Sequence, residues 1–249
     1  MLLRILIASI AASILLVCSA EAATLKVQGS TTVARNLILP KQAEIEKASG
    51  QTLQIVANGS GRCVLALVSG EADMAMISAP LDVTVENLNK AKPGSVDGGA
   101  LKAHQIGHTE VGFMAHPSNS VKKLTLAQIT DVLSGKIGNW KDLGGQDAPI
   151  VIVCETKGGG VRSMTEEKLL EGKSIAGAPR ELPSATQVSK VASQLPNAFG
   201  IGVRAGADST VALILTDQPI VQPLILVTKG DPTPEMAQVI AAAKGQAGS

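Results

Sequence analysis

Short apolar runs alternate with polar, glycine-bearing turns along most of the chain. Leu25 to Gln28 predicts a strand, Gly29-Ser30-Thr31-Thr32 a turn whose hydroxyls suit an N-cap, and Val33 to Lys47 a helix. Leu53 to Ala57 predicts a second strand, Asn58-Gly59-Ser60-Gly61 a turn, and Arg62 to Val68 a short apolar helix. Met74 to Ile77 predicts a third strand ending at Ser78. Asp82 to Gly107 is polar and glycine-containing, and Val111 to Ala115 predicts a strand leaving the first lobe. A second lobe repeats the logic. Leu124 to Leu133 fits an amphipathic helix, Ile150 to Cys154 a buried strand, Gly158 to Gly160 a turn, and Val161 to Leu170 a helix. Thr186 to Leu195 predicts a helix, Phe199 to Val203 and Leu224 to Thr228 strands, and Glu235 to Ala243 a closing helix. Strand, polar turn and helix in repeated order predict an α/β protein of two lobes with parallel strands.

The start of the chain is of another kind. Arg4 precedes an apolar stretch from Ile5 to Val17 that ends in small residues, the pattern of a secretory signal. Ala20-Glu21-Ala22 supplies small residues where a signal peptidase reads, so cleavage is expected after Ala22 and residues 1–22 are assigned to the signal peptide. Lipidation at Cys18 is the alternative, with bulky Val17 against it. The expected location is periplasmic or secreted. No later apolar run reaches membrane-spanning length.

Composition narrows the partner. A formal charge of +1 without a run of Lys and Arg excludes a nucleic-acid surface. One Trp, two Phe and no Tyr leave little aromatic surface against which sugars or large apolar ligands are held, so the ligand is expected to be small and polar.

In open α/β sheets ligands sit beyond the carboxyl ends of the strands. Three polar turns fall there: Ser30 to Thr32, Asn58 to Arg62 and Gly158 to Ser163. Each opens a helix whose first N–H groups are unpaired and carry partial positive charge, so several of them around one cleft make an anion site.

Six segments in one order carry a family resemblance: Gly29 to Val33, Asn58 to Arg62, Gly70 to Asp73, Leu124 to Ile129, Gly135 to Gly145 and Leu226 to Pro232. Together they resemble the phosphate-binding proteins of ABC importers over nearly the whole mature chain. The resemblance implies a type II periplasmic binding protein: two α/β lobes joined by a two-strand hinge, with a ligand cleft between them. The lobes are expected at residues 23–113 with 229–249, and at residues 114–228. It also implies phosphate or a related tetrahedral oxyanion as ligand, membrane importer components as partners, a monomer, and neither cofactor nor enzymatic activity.

Carried over by position, Ser30, Thr31 and Thr32 form the first ligand turn and Ser60 with Gly61 the second, donating hydroxyl and backbone N–H groups. Plain helix capping is the other role for such residues. Ser78 falls where some relatives place a carboxylate and others a serine. Asp73, about 16 Å away along the strand, is no substitute and is assigned a structural role. In the second lobe the family pattern Gly-Ser-Gly-Thr-Arg falls on Gly158 to Arg162, and this chain lacks both hydroxyls, at Gly159 and Val161. Backbone N–H groups of Gly159, Gly160 and Val161, the Arg162 guanidinium and Ser163 remain as ligand donors, although Arg162 suits a structural ion pair equally. Arg62 faces either cleft or solvent.

Other chemistry finds little support. His104 and His108 have helical zinc spacing, but Gly107 and Gly98-Gly99 argue against a helix. No nucleophile elbow, H-E-x-x-H or P-loop occurs. Cys63 and Cys154 are not in a C-x-x-C pair, and their spacing leaves a bridge or two free thiols open. Three functions therefore compete: an oxyanion receptor for an importer, a degenerate paralogue acting as a sensor or interaction protein, and a hydrolase that lacks a catalytic constellation.

Overall fold

The computed structural model describes residues 23–247, so the expected signal peptide, its cleavage point and Cys18 lie outside the described residues. The first lobe opens with β1 (Thr24–Gly29), and a helical stretch follows from Thr31 to Ser49. It begins as α1 (Thr31–Val33), passes through a π turn (Ala34–Ile38) and a 3-10 turn at Pro40, and ends as α2 (Gln42–Ser49). Then come β2 (Thr52–Ala57), α3 (Ser60–Ser69), β3 (Met74–Ile77), α4 (Leu81–Ala91) and β4 (Leu101–Ala115). The second lobe holds β5 (Lys123–Leu124), α5 (Leu126–Leu133), β6 (Val151–Glu155), α6 (Gly160–Leu170) and β7 (Arg180–Leu182). It continues with α7 (Val188–Ala192), β8 (Ala198–Val203) and β9 (Ala212–Thr216). The chain then returns through β10 (Val221–Lys229) to α8 (Pro234–Gln246).

The strands form one curled sheet in the order β2-β1-β3-β10-β4-β8-β6-β7, with β9 beside β4 and β5 beside β9. β4 changes partners midway. Leu101 to Glu110 pairs with β10, whereas Val111 to Ala115 pairs with β8 and β9. The apolar cores divide at the same place: Val111 and Ile220 belong to the second-lobe core, Ile106 and Leu224 to that of the first. The lobes therefore join at two crossings, one near Glu110 and Val111, the other between Ile220 and Leu224. The sequence division places its second boundary at 228/229, and β10, which lies before it, pairs with β3 and the first half of β4. It lies in the first-lobe sheet, because its apolar residues fill that lobe.

Both faces of the central strands are covered, which is why they read as unbroken apolar runs. Met74, Met76, Leu224 and Leu226 face a core closed by Ile45 of α2 and Val239 of α8. Ala75, Ile77, Ile225 and Val227 face the opposite core with Cys63 and Leu67 of α3. In the second lobe Phe113 and Phe199 stack at 5.8 Å, and Trp140 lies 5.9 Å from Phe199. The chain's three aromatic side chains are thus core packing and line no ligand surface.

Strands β7 and β9 and two first-lobe elements escaped the sequence reading. α4 carries Leu81, Val85 and Leu88 at helical spacing against the second of these cores, inside a stretch read as polar. The first half of β4 pairs on one side only, with β10, so its exposed residues look like loop. His104 and His108 sit on that strand, where His104 Nε2 shares a hydrogen bond with Thr228 Oγ1 at 2.9 Å. Cys63 and Cys154 are both free and buried, in separate cores.

Candidate functional site

The first-lobe strands end in a knot of short bonds. Ser30 N–H donates to Met76 O at 2.7 Å, and Asn58 and Gly59 N–H both donate to Gly29 O at 2.9 Å, which gathers the ends of β1, β2 and β3. Ser30 Oγ donates to Ser78 Oγ at 2.8 Å and accepts from Val33 N–H at 3.3 Å, so Ser30 caps α1 and faces the site at once. Ser78 is fully buried, and its carbonyl accepts from Gln222 Nε2 on β10. Thr32 is buried as well. Ser60, at the start of α3, is 2% exposed, and its Oγ has no hydrogen-bond partner. Such a hydroxyl costs about 1–3 kcal/mol unless something else bonds it. Asp73, at the far end of β3, accepts from Lys26 N–H at 2.7 Å, a structural role.

The second-lobe turn follows β6. Gly159 N–H donates to Thr156 O at 3.0 Å, Ser163 N–H to Gly159 O at 2.9 Å, and Val161 N–H to Glu155 Oε1 at 3.1 Å. Arg162 is bonded within its own lobe. Its Nε reaches Glu166 Oε1 at 2.8 Å, and its Nη1 reaches Glu181 Oε1 at 2.6 Å and Glu155 O at 3.3 Å. Its side chain is 1% exposed and all three contacts are internal, so its guanidinium braces α6, β6 and β7 in the ion-pair role. The Val161 side chain is buried in the second-lobe core, leaving its backbone as the part facing the turn. Arg62 lines a surface depression of about 560 Å³ together with Leu65, Ser69 and Glu71.

The two turns meet across the cleft. Thr31 Oγ1 bonds Ser184 Oγ at 2.7 Å, Ser184 Oγ bonds Thr186 Oγ1 at 2.8 Å, and Asn87 Nδ2 donates to Ser163 Oγ at 3.5 Å. A Cβ on Gly160 would lie 1.9 Å from Ser78 Oγ, and one on Gly61 3.8 Å from Gly158 O. Thr31, Gly61, Ser78, Gly160 and Ser163 thus meet the opposite lobe, Ser30 is bonded to Ser78, and Ser60 precedes Gly61 at the start of α3. Ser184 and Asn87 join this contact unforeseen, Gln222 holds the Ser78 carbonyl, and Glu155 lies against the second-lobe turn. Only Glu155 left a trace in the sequence, as the acid closing an apolar strand beside the glycine turn.

Charge at this interface is dominated by burial. It pushes the Glu155 carboxyl up to about 7, against the opposing pull of N–H groups of Val161, Ala185 and Arg162 and of the Arg162 charge. Burial likewise raises the Cys154 thiol to about 11 and the Cys63 thiol to about 12, so both stay protonated. For Arg162 burial works against the charge, yet the bonds to Glu166 and Glu181 hold its pKa above the ordinary value. Among the described residues no three His, Cys, Asp or Glu side chains gather as a metal site.

A two-lobed α/β receptor with serine-lined helix starts at the cleft is the class this geometry defines: a type II periplasmic binding protein. The profile of the PBP superfamily domain matches residues 19–245, and the chain belongs to that superfamily. Among curated proteins, the phosphate-binding protein PstS of Bacillus subtilis (strain 168) is 27% identical over 177 residues, 71% of this chain and 56% of that protein. The match thus spans little more than half of that relative's length. Among solved structures, a phosphate ABC transporter substrate-binding protein from Clostridium perfringens with bound phosphate is 25% identical, with a TM-score of 0.73 over 88% of this chain and 92% of that one. An ABC-type phosphate transport receptor from Vibrio cholerae shares the fold at 20% identity and a TM-score of 0.66, over 89% and 93% of the two chains. By name these relatives are a phosphate-binding protein, a transporter's substrate-binding protein and a transport receptor. No helix among the described residues is long and apolar enough to cross a membrane.

Proposed function

We propose that this chain is an exported receptor that takes phosphate, or a related tetrahedral oxyanion, between its lobes and hands it to an ABC importer. The observation that carries this reading is the buried, unpartnered Ser60 hydroxyl at the start of α3, next to Gly61, which faces Gly158 of the second-lobe turn. A bound oxyanion supplies the missing acceptor, and a hydrogen bond from the hydroxyl to it is charge-assisted. Ligand bonded from both sides stabilises the closed form, whose surface a membrane partner can read. The apolar start of the chain fits export to the periplasm, and nothing in the fold calls for a second copy.

Calorimetric titration of the mature protein with phosphate, sulfate, arsenate and molybdate tests the reading. Phosphate or arsenate should bind, and Ser60→Ala should weaken it. Absence of binding by all four anions would instead favour the second reading, a degenerate paralogue acting as sensor or interaction protein. The observations on that side are the missing hydroxyls at Gly159 and Val161 and the internal pairing of Arg162.

A further inference from the structure

We propose that Glu155 is the specificity-determining residue of the second lobe: its carboxylate occupies the start of α6 as an internal anion, and a ligand oxyanion gains that helix end only as Glu155 becomes neutral. The inference rests on the receptor reading above.

The start of α6 is already served. Val161 N–H bonds Glu155 Oε1 at 3.1 Å, and N–H groups of Ala185 and Arg162 also act on the same carboxyl group. A carboxylate taking several backbone N–H groups at a helix start does what a bound oxyanion would do there. It also accounts for a departure the receptor reading leaves unexplained. A Cβ on Gly159 would lie 1.9 Å from Glu155 Oε1, so the serine of the family pattern has no room while the carboxyl group is in place. Gly159 and Glu155 are thus one feature: the side chain missing from the turn makes space for the acid beneath it.

The surroundings do not neutralise that acid. On α6, Arg162 is bonded to Glu166 and to Glu181 of β7, so one guanidinium stands against three carboxylates when Glu155 is ionised. The Cys154 thiol of β6 is protonated and neutral. β8 carries no titratable residue, and Lys157 of the turn, Arg180 of β7 and Lys190 of α7 are exposed. From the first lobe, Ser78 and Gly61 bring no charge. Ionised Glu155 therefore repels a ligand anion in a poorly solvated place, and protonated Glu155 becomes a neutral hydrogen-bond donor. The pKa of about 7 places the change between these states in the neutral range.

The test compares inorganic phosphate binding by the full mature protein and by Glu155→Gln, which keeps shape and an acceptor oxygen but not the charge. Phosphate's own titration is common to both forms and cancels in the ratio of their affinities. The variant should match the native protein at about pH 5.5 and bind about tenfold tighter or more at about pH 8.5. A ratio that stays at one or below throughout overturns the inference while leaving the receptor reading intact. No binding by either form at any pH overturns both. If the variant fails to fold, the amide resonance of Val161 in the native protein decides. It should shift with a midpoint near 7, and a midpoint below about 5 overturns the inference.

Discussion

Thr31 on the first lobe and Ser184 on the second share a hydrogen bond of 2.7 Å between their hydroxyls, so the lobes are linked by side chains inside the cleft. Thr31 opens α1, and Ser184 caps the 3-10 turn before α7 by accepting from Thr186 N–H at 3.2 Å. Ser184→Ala removes the link, and a neutral hydrogen bond is worth about 1 kcal/mol. The open form of the free protein should gain about fivefold in population. Small-angle scattering without ligand should show a larger radius of gyration. An unchanged radius means the lobes are held by other contacts, Asn87 to Ser163 among them.

Ser60→Ala should move stability and binding in opposite directions. The hydroxyl it removes is buried and unpartnered in the free protein, so the variant should be as stable or up to about 1 kcal/mol more stable in denaturant unfolding. Phosphate affinity should fall by about 1.5–3 kcal/mol, the range for a bond to a charged group. Loss of stability without loss of affinity makes Ser60 a cap and no ligand residue.

Val161→Thr should not restore a ligand bond. The side chain is buried in the second-lobe core, so the new hydroxyl lands among apolar neighbours and costs about 1–3 kcal/mol of stability. Phosphate affinity should stay within a factor of two or so of the native value. A gain of about tenfold places the side chain in the cleft and overturns its assignment to the core.

Arg162→Ala should act on folding before binding. It leaves Glu166 and Glu181 without their shared partner, and because those carboxyl groups are 14% and 39% exposed the loss is about 1.5–3 kcal/mol, the range for bonds to charged groups. Chemical denaturation should show this loss, and the folded fraction should keep phosphate affinity. A variant of native stability that no longer binds phosphate assigns the guanidinium to the ligand.

Glu155 also predicts a pH dependence of stability. Its folded pKa of about 7 lies above the ordinary value of 4.5, so its contribution is fully present below about pH 4.5 and lost as pH rises through 7. Between about pH 5 and about pH 8 the native protein should lose a few kcal/mol that Glu155→Gln does not lose. Melting curves of both proteins at the two pH values check it. Parallel curves would show that Glu155 titrates as an ordinary exposed acid.

Much of the architecture was legible in the residues alone, for a definite reason. Strands buried on both faces, such as Met74–Ile77 and Ala198–Val203, must be apolar at every position, and the polar turns that follow must sit at the sheet's carboxyl ends. Local signals therefore located β1, β3, α3, β6, α6 and β8. What stayed hidden depends on partners far away in sequence. The first half of β4 is paired on one side only, so it reads as loop, and β10 belongs to the first lobe through its pairing with β3 and with that half of β4. The turn at Gly158 to Ser163 shows the same division at the level of single atoms. The sequence by itself determined that an anion-type turn opens α6 and that two of its hydroxyls are absent. Only the tertiary structure decided where its charges go, because Arg162 meets Glu181 across 19 residues and Glu155 folds back onto Val161 across six, and no local pattern specifies either.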